Sequence, residues 1–115
     1  MSDWLAVCGL EQVPVGRGIC ALVDGQQVAI FRTTAGVLYA VGNRDPFSGA
    51  MVLSRGIVGS RRDRPTVASP MFKQVFDLET GVCLDDPEVS ITVHSVRLHG
   101  GTVEVDRRTA QRLAV

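Results

Sequence analysis

The feature that most constrains the fold of this chain is the alternation of short β-rich segments with tight-turn dipeptides. Asp24-Gly25 separates two such segments, and Gly100-Gly101 separates two more near the end of the sequence. Aspartate and glycine supply the positive φ angles that tight hairpin turns require. Glycines also interrupt the apolar stretch between positions 50 and 59 and disfavour a long helix there. The sequence therefore predicts an all-β fold.

Predicted strands cover most of the chain. They are Trp4 to Cys8, Gly18 to Val23, Gln27 to Arg32, Val37 to Val41, Lys73 to Leu78, Val82 to Leu84, Ile91 to Leu98 and Thr102 to Val105. The polar segment from Ser60 to Pro65 is predicted to be a solvated hairpin tip. In the strand from Ile91, the two-residue period places Thr92, His94, Val96 and Leu98 on one face.

Length and charge limit what the chain can bind. A chain of 115 residues forms one domain with one modest core, and we assign residues 1–106 to it and 107–115 to a tail or a short helix capped by Asp106. With 12 basic and 12 acidic side chains, no overall field attracts nucleic acid or an anionic membrane. No apolar run is long enough to span a membrane, and the first four residues lack the features of a signal peptide. A cytoplasmic location is expected.

The histidines, acidic residues and cysteines form no recognisable reactive site. His94 and His99 lack the donor spacing of a zinc site, and the carboxylates around Pro87 are too few for a calcium loop. The cysteines are odd in number and far apart, which favours reduced, mostly buried thiols, with a Cys8–Cys20 disulfide as the alternative. No glycine-rich loop opens a helix in the manner of a phosphate site. We predict no catalytic residue, cofactor site or metal site in this chain.

Two proline-containing loops are the most distinctive part of the sequence. The first is Asn43-Arg44-Asp45-Pro46-Phe47-Ser48-Gly49, and the second is Ala68-Ser69-Pro70-Met71-Phe72-Lys73, which leads into a β-rich segment ending in Thr80-Gly81. This layout resembles the Rieske iron–sulfur domain, in which a Cys-x-His pair and a Cys-x-x-His pair hold a two-iron cluster. The resemblance implies a β-sandwich with a small inserted subdomain from about residue 43 to residue 86.

The positions that match the cluster ligands carry other residue types. They are Asn43, Asp45, Ser69 and Phe72. Cluster iron requires thiolate or imidazole donors, and an aromatic ring offers no lone pair. The resemblance therefore implies a Rieske-like fold without a cluster. We expect Phe72 and Met71 to fill, with apolar volume, the space that a cluster would occupy.

Three motifs narrow the resemblance to one family. They are Asn43 to Ala50, Leu53 to Gly59, and Ala68-Ser69-Pro70 through Cys83-Leu84-Asp85-Asp86-Pro87. Together they resemble the small subunits of bacterial assimilatory NAD(P)H-dependent nitrite reductases. This resemblance implies a non-redox chain that assists a large subunit carrying FAD, siroheme and an iron–sulfur cluster, which reduces nitrite to ammonium. Arg44, Asp45 and Lys73, at the tip of the loops, are the expected contacts with that subunit.

Two other functions remain open at this point. One is a Rieske-type ferredoxin with unusual ligands, which would carry a coloured cluster. The other is a cluster-free interaction module of a different oxidoreductase or an oxygenase, which would co-purify with a different partner.

Overall fold

Strands dominate residues 3–108, the part of the chain that the computed structural model describes. They are β1 (Trp4–Gly9), β2 (Arg17–Val23), β3 (Gln26–Arg32), β4 (Leu38–Gly42), β5 (Ile57–Arg61), β6 (Arg64–Ala68), β7 (Val75–Asp77), β8 (Val93–His94), β9 (Val96–His99) and β10 (Thr102–Asp106). Short 3-10 turns occupy Leu10–Gln12 and Leu53–Arg55. The all-β prediction is confirmed.

Antiparallel pairing sorts these strands into three sheets. Their orders are β1-β10-β9, β2-β3-β4-β8 and β5-β6-β7. Trp4 lies opposite Asp106, so the two ends of the described chain meet in the first sheet. The third sheet is inserted in the sequence between β4 and β8, which belong to the second sheet. The exact limits of the domain and of the inserted part stay predictions.

The hairpin turns follow the sequence signals. Asp24 and Gly25 have φ angles of 51° and 82° and join β2 to β3. Gly100 and Gly101, with φ angles of 60° and 82°, join β9 to β10. Both pairs adopt the positive φ that the sequence predicted, because a two-residue hairpin connection must match the twist of its strands.

Strand β3 is buried on both of its faces. Val28 and Ile30 belong to one core, whereas Ala29 and Phe31 belong to another. The first core includes Val103 and Val105 of the first sheet, and the second includes Val67 and Phe76 of the third sheet. Successive side chains of a strand point to opposite faces, so the second sheet is the central layer between the other two. Strand β4 of this layer leads into the first loop, whereas β6 of the third sheet leads into the second.

The predicted strand from Ile91 to Leu98 is interrupted at Ser95. Strand β8 pairs with β4 of the central sheet, whereas β9 pairs with β10 of the first sheet. The Ser95 carbonyl accepts a hydrogen bond from the backbone N–H of Asp106 at 2.9 Å. His94 is buried and Leu98 is exposed. The prediction that the alternate residues of this segment share one face is wrong, because the chain changes sheets at Ser95.

The cysteine prediction is met only in part. All three thiols are free, so Cys8 and Cys20 do not form the alternative disulfide. Cys83 is buried, Cys8 is half-buried and Cys20 is exposed. The prediction of buried thiols is therefore correct for Cys83 alone. Cys20 is exposed because it lies on β2, the edge strand of the central sheet.

The described chain ends at Arg108. The backbone N–H of Arg108 donates to Asp106 Oδ1 at 2.8 Å, which is the contact of a helix N-cap. The rest of the tail or helix predicted for residues 107–115 lies outside the described residues. Within residues 3–108, no helix has the length and apolar character needed to cross a membrane.

Candidate functional site

Asn43, the first ligand-equivalent residue, follows β4 and is buried. Its side-chain nitrogen donates to Gln27 Oε1 at 3.0 Å and to the Met51 carbonyl at 3.1 Å. Its side-chain oxygen accepts the backbone N–H of Ser54 at 2.7 Å. The nitrogen also lies 3.5 Å from Cys20 Sγ. The amide therefore ties the first loop to the central sheet and to the chain beyond the loop.

Asp45 organises the first loop. Its Oδ1 accepts the backbone N–H groups of Phe47 at 2.8 Å and Ser48 at 3.4 Å. Its carbonyl accepts the N–H of Gly49 at 2.7 Å, which closes the turn. Aspartate favours such turns because its short carboxylate reaches its own downstream backbone. The carboxylate thus holds the loop in one conformation.

Ser69 organises the second loop in the same way. Its hydroxyl oxygen accepts the backbone N–H of Met71 at 3.2 Å, and its carbonyl accepts the N–H of Lys73 at 3.0 Å. Lys73 closes the turn with a φ of 62°, an uncommon value for a residue other than glycine. Each loop therefore contains a closed five-residue turn that begins at a ligand-equivalent residue, Asp45 or Ser69.

These two turns are joined to each other. The Ser69 hydroxyl donates to Asp45 Oδ2 at 2.5 Å, and both side chains are buried. A hydrogen bond to an ionised acceptor is stronger than one between neutral groups, and burial strengthens it further. A direct side-chain bond therefore connects the loops that a metal cluster joins in a Rieske domain.

The arrangement does not fit an iron–sulfur cluster. Asp45 and Ser69 use their oxygens on each other and on the loop backbone, and the Asn43 amide is engaged by neighbouring groups. None of the four ligand-equivalent residues offers a thiolate or an imidazole. In addition, Phe72 is 59% exposed and its ring has no atom that could bind iron.

The exposure of Phe72 and Met71 corrects an expectation from the sequence. The sequence predicts that Phe72 and Met71 fill the cluster space, but both side chains are exposed, Met71 to 47%. The aromatic side chain behind the loops is instead Phe47, whose ring centroid lies 6.2 Å from that of Phe76. The turn from Ser69 to Lys73 leaves Met71 and Phe72 exposed, whereas Phe47 is partly buried against the hydrophobic core.

The three predicted partner contacts differ in exposure. Arg44 and Lys73 are exposed, whereas Asp45 is completely buried. The prediction that Asp45 contacts a partner at the surface is therefore wrong. Its carboxylate is buried and is hydrogen-bonded to backbone N–H groups and to Ser69. Arg44 lies between two grooves of about 310 Å³ and 190 Å³. Only Arg44 and Lys73 of the predicted set are available to a partner.

A second polar cluster lies beside the third sheet. Arg64 pairs with the buried carboxylate of Asp77 and also reaches Glu79 at 3.4 Å. The Tyr39 hydroxyl donates to Glu79 Oε1 at 3.4 Å, which links this cluster to the central sheet. Burial pushes the pKa of Asp77 upward, but Arg64 and the N–H groups of Glu79 and Thr80 outweigh it, so the pKa is lowered.

His94 is a structural histidine. Its Nδ1 is buried and has no hydrogen-bond partner among residues 3–108. Burial lowers its pKa, against the opposing charge of Asp106. Within the described part of the chain, no three residues among His, Cys, Asp and Glu lie close enough together to hold a metal ion.

Comparison with known proteins identifies the family. The Rieske-like [2Fe-2S] domain matches residues 3–106 of the chain. The nitrite reductase (NADH) small subunit of Salmonella typhimurium is 40% identical over 106 residues, which are 91% of this chain and 98% of that protein. This chain belongs to the family of nitrite reductase small subunits.

Two other proteins extend the comparison of this small subunit. The crystal structure of a Mycobacterium tuberculosis protein assigned as an NADH-dependent nitrite reductase small subunit superposes with a TM-score of 0.86 at 50% identity, covering 89% of this chain and 92% of that one. The nitrite reductase NAD(P)H large subunit of Klebsiella oxytoca is 38% identical over 102 residues, which are 89% of this chain but 11% of that protein. The latter protein therefore contains a small-subunit-like region within a much longer polypeptide.

Sequence reasoning located the loops of this small subunit but missed the bond between them. A signal was available, because an aspartate and a serine stand at matching places in two loops and both residue types bond their own downstream backbone. Their mutual hydrogen bond spans 24 residues of sequence and depends on how the third sheet packs on the central sheet.

Proposed function

We propose that this small subunit contributes binding and not electrons to a nitrite reductase. In this proposal the large subunit carries FAD, siroheme and an iron–sulfur cluster, and it passes electrons from NAD(P)H to nitrite, giving ammonium. The small subunit docks on the large subunit through its loop tip, with Arg44 and Lys73 as charged contacts. The complex works in the cytoplasm, where pyridine nucleotides supply the electrons.

The observation that carries the proposal is the Asp45–Ser69 hydrogen bond. It joins the two loops directly and uses side-chain oxygens at two ligand-equivalent positions. A chain built in this way keeps the fold of an electron carrier and stabilises the two loops without a metal. In the complex, the two loops then present a surface that binds the large subunit.

The similarity to the Klebsiella oxytoca large subunit supports a direct physical association. In that protein a region like this chain is covalently part of the longer polypeptide. Joining two domains in one chain keeps them at a high effective concentration, which favours contact between them. We infer that the separate small subunit achieves the same contact through its surface.

The ferredoxin alternative makes the opposite prediction about iron. Anaerobic reconstitution with iron and sulfide, followed by metal analysis and a visible spectrum, separates the two functions. We expect a colourless protein with far less than one cluster per chain. A stoichiometric two-iron cluster would refute the non-redox proposal.

The complex itself provides the second test. The large subunit is assayed for nitrite-dependent NAD(P)H oxidation with and without the small subunit, and binding is measured in parallel. We expect the small subunit to bind, to be inactive alone and to increase either the turnover or the stability of the large subunit. Specific binding to another oxidoreductase, with none to the nitrite reductase large subunit, would favour the interaction module of a different enzyme.

A further inference from the structure

Large apolar side chains are exposed around the second loop. Ile57 is 76% exposed, Phe72 is 59% exposed and Met71 is 47% exposed. We call these three residues the tip patch. Exposed aromatic and methionine side chains are characteristic of the centres of protein–protein interfaces.

The sheet register places the residues of the tip patch at the same end of the third sheet. Ile57 begins β5 and lies opposite Ala68, the last residue of β6. The next residue, Ser69, opens the turn that carries Met71 and Phe72. Within residues 3–108, β5 pairs only with β6 in its sheet, so β5 is an edge strand. The three apolar residues therefore lie at one end of the third sheet.

The tip patch is held in a fixed conformation. The Ser69 hydroxyl and carbonyl accept the N–H groups of Met71 and Lys73, and the same hydroxyl donates to buried Asp45. A surface ordered before binding loses less conformational entropy when a partner docks. The Asp45–Ser69 bond therefore helps to hold the turn that carries Met71 and Phe72.

The two loops carry accessible charges of one sign. Segments 43–56 and 68–74 contain four charged side chains, namely Arg44, Asp45, Arg55 and Lys73. The single anion, Asp45, is buried, whereas the three cations are exposed. The two loops are therefore basic at their accessible surface. At the same end of the third sheet, the exposed Asp85 accepts the Val75 N–H at 2.8 Å and is paired with Arg61 at 3.5 Å. The basic surface of the loops fits an acidic partner surface.

We propose that the tip patch is the energetic centre of the interface with the nitrite reductase large subunit. Phe72 and Met71 enter an apolar depression on that subunit, and Arg44, Arg55 and Lys73 face carboxylates at its rim. This inference rests on the proposed function, because it specifies which residues of the docking surface bind. It assigns a role to Phe72, whose position no longer serves a metal.

The test compares the affinities of Phe72→Ala, Met71→Ala and Leu98→Ala for the purified large subunit. Leu98 is the matched control, because it is 48% exposed and lies on β9 of the first sheet. We expect Phe72→Ala to weaken binding by about thirtyfold and Met71→Ala by about tenfold, as for residues at an interface centre. Leu98→Ala should bind like the unmutated chain.

Raising the salt concentration should weaken binding of the unmutated chain, because the rim contacts are ionic.

The melting temperature of each free variant accompanies the affinity. All three should melt like the unmutated chain, since their side chains are exposed, so a loss of affinity reports on the interface. If the unmutated chain binds and Phe72→Ala and Met71→Ala bind equally well, the tip patch is refuted while the proposed function stands. If the unmutated chain does not bind the large subunit, both the proposed function and the tip patch are refuted.

Discussion

Asp45 and Ser69 are 24 residues apart in sequence, yet the Ser69 hydroxyl lies 2.5 Å from Asp45 Oδ2. Each residue also accepts the backbone N–H of the residue two positions later, Phe47 or Met71. The pair therefore fixes two turns and the distance between them. In a metal-binding relative of this fold, that task belongs to a cluster and its ligands.

Ser69→Ala should destabilise the free subunit by about 1–3 kcal/mol, because it leaves the buried Asp45 Oδ2 without this donor and Met71 without its acceptor. The measurement is urea unfolding, with Ser60→Ala, an exposed change on β5, as the control. Ser60→Ala should alter the free energy of unfolding by less than about 0.5 kcal/mol.

The double variant Asp45→Ala with Ser69→Ala measures the coupling of the two loops. We expect its destabilisation to be smaller than the sum of the two single losses by about 0.5–3 kcal/mol, because the shared bond can be lost only once. Strict additivity would mean that the two turns are held independently of each other.

Protonation of His94 should make the subunit acid-sensitive. Burial places the folded-state pKa of His94 below its ordinary value of 6.5, despite the charge of Asp106. The unfolded chain then binds the proton more readily, so stability is complete above about pH 6.5 and falls as the pH drops toward the folded-state pKa. His94→Gln should flatten this fall in urea unfolding, whereas His99→Gln, a change at an exposed histidine, should not. Equal slopes for His94→Gln and the unmutated chain would contradict this prediction.

Arg64→Gln should reduce stability in a pH-dependent manner. Arg64 helps to hold the pKa of the buried Asp77 below its ordinary value of 3.8. A lowered carboxylate pKa contributes stability above the unfolded-state pKa and loses it as the pH falls through the folded-state pKa. The variant should therefore be less stable than the unmutated chain at neutral pH, and the difference should shrink below about pH 4. Arg62→Gln, in the neighbouring turn, should follow the unmutated chain at every pH.

Arg44→Ala and Lys73→Ala should weaken docking on the large subunit. If each cation pairs with a carboxylate that becomes buried in the complex, its removal costs about 2–5 kcal/mol of binding. Both residues are exposed in the free subunit, and alanine keeps the β-carbon at the positive φ of Lys73, so folding should be unaffected. Affinity and the melting temperature of the free subunit are measured together. If Arg62→Ala alone weakens binding, the β5–β6 hairpin is the docking site.

The sequence alone determined the fold class and showed that the four ligand-equivalent positions carry neither cysteine nor histidine. Both follow from local information. Turn dipeptides such as Asp24-Gly25 favour positive φ angles because glycine lacks a β-carbon and aspartate tolerates the left-handed region. A residue type such as phenylalanine either has a donor atom for iron or lacks one. Neither conclusion requires knowledge of what packs against these residues.

Burial was decided by the tertiary structure. Arg44 and Asp45 are adjacent and both charged, yet one is exposed and the other is buried, because Ser69 approaches Asp45 from a distant part of the chain. Met71 and Phe72 were expected inside and are outside, since the same Ser69 turn directs them away from the core. The exposure of a side chain depends on contacts between segments that are far apart in sequence. The alternation of apolar and polar residues within one segment does not contain that information. The surface available to a partner is therefore a property of the assembled loops.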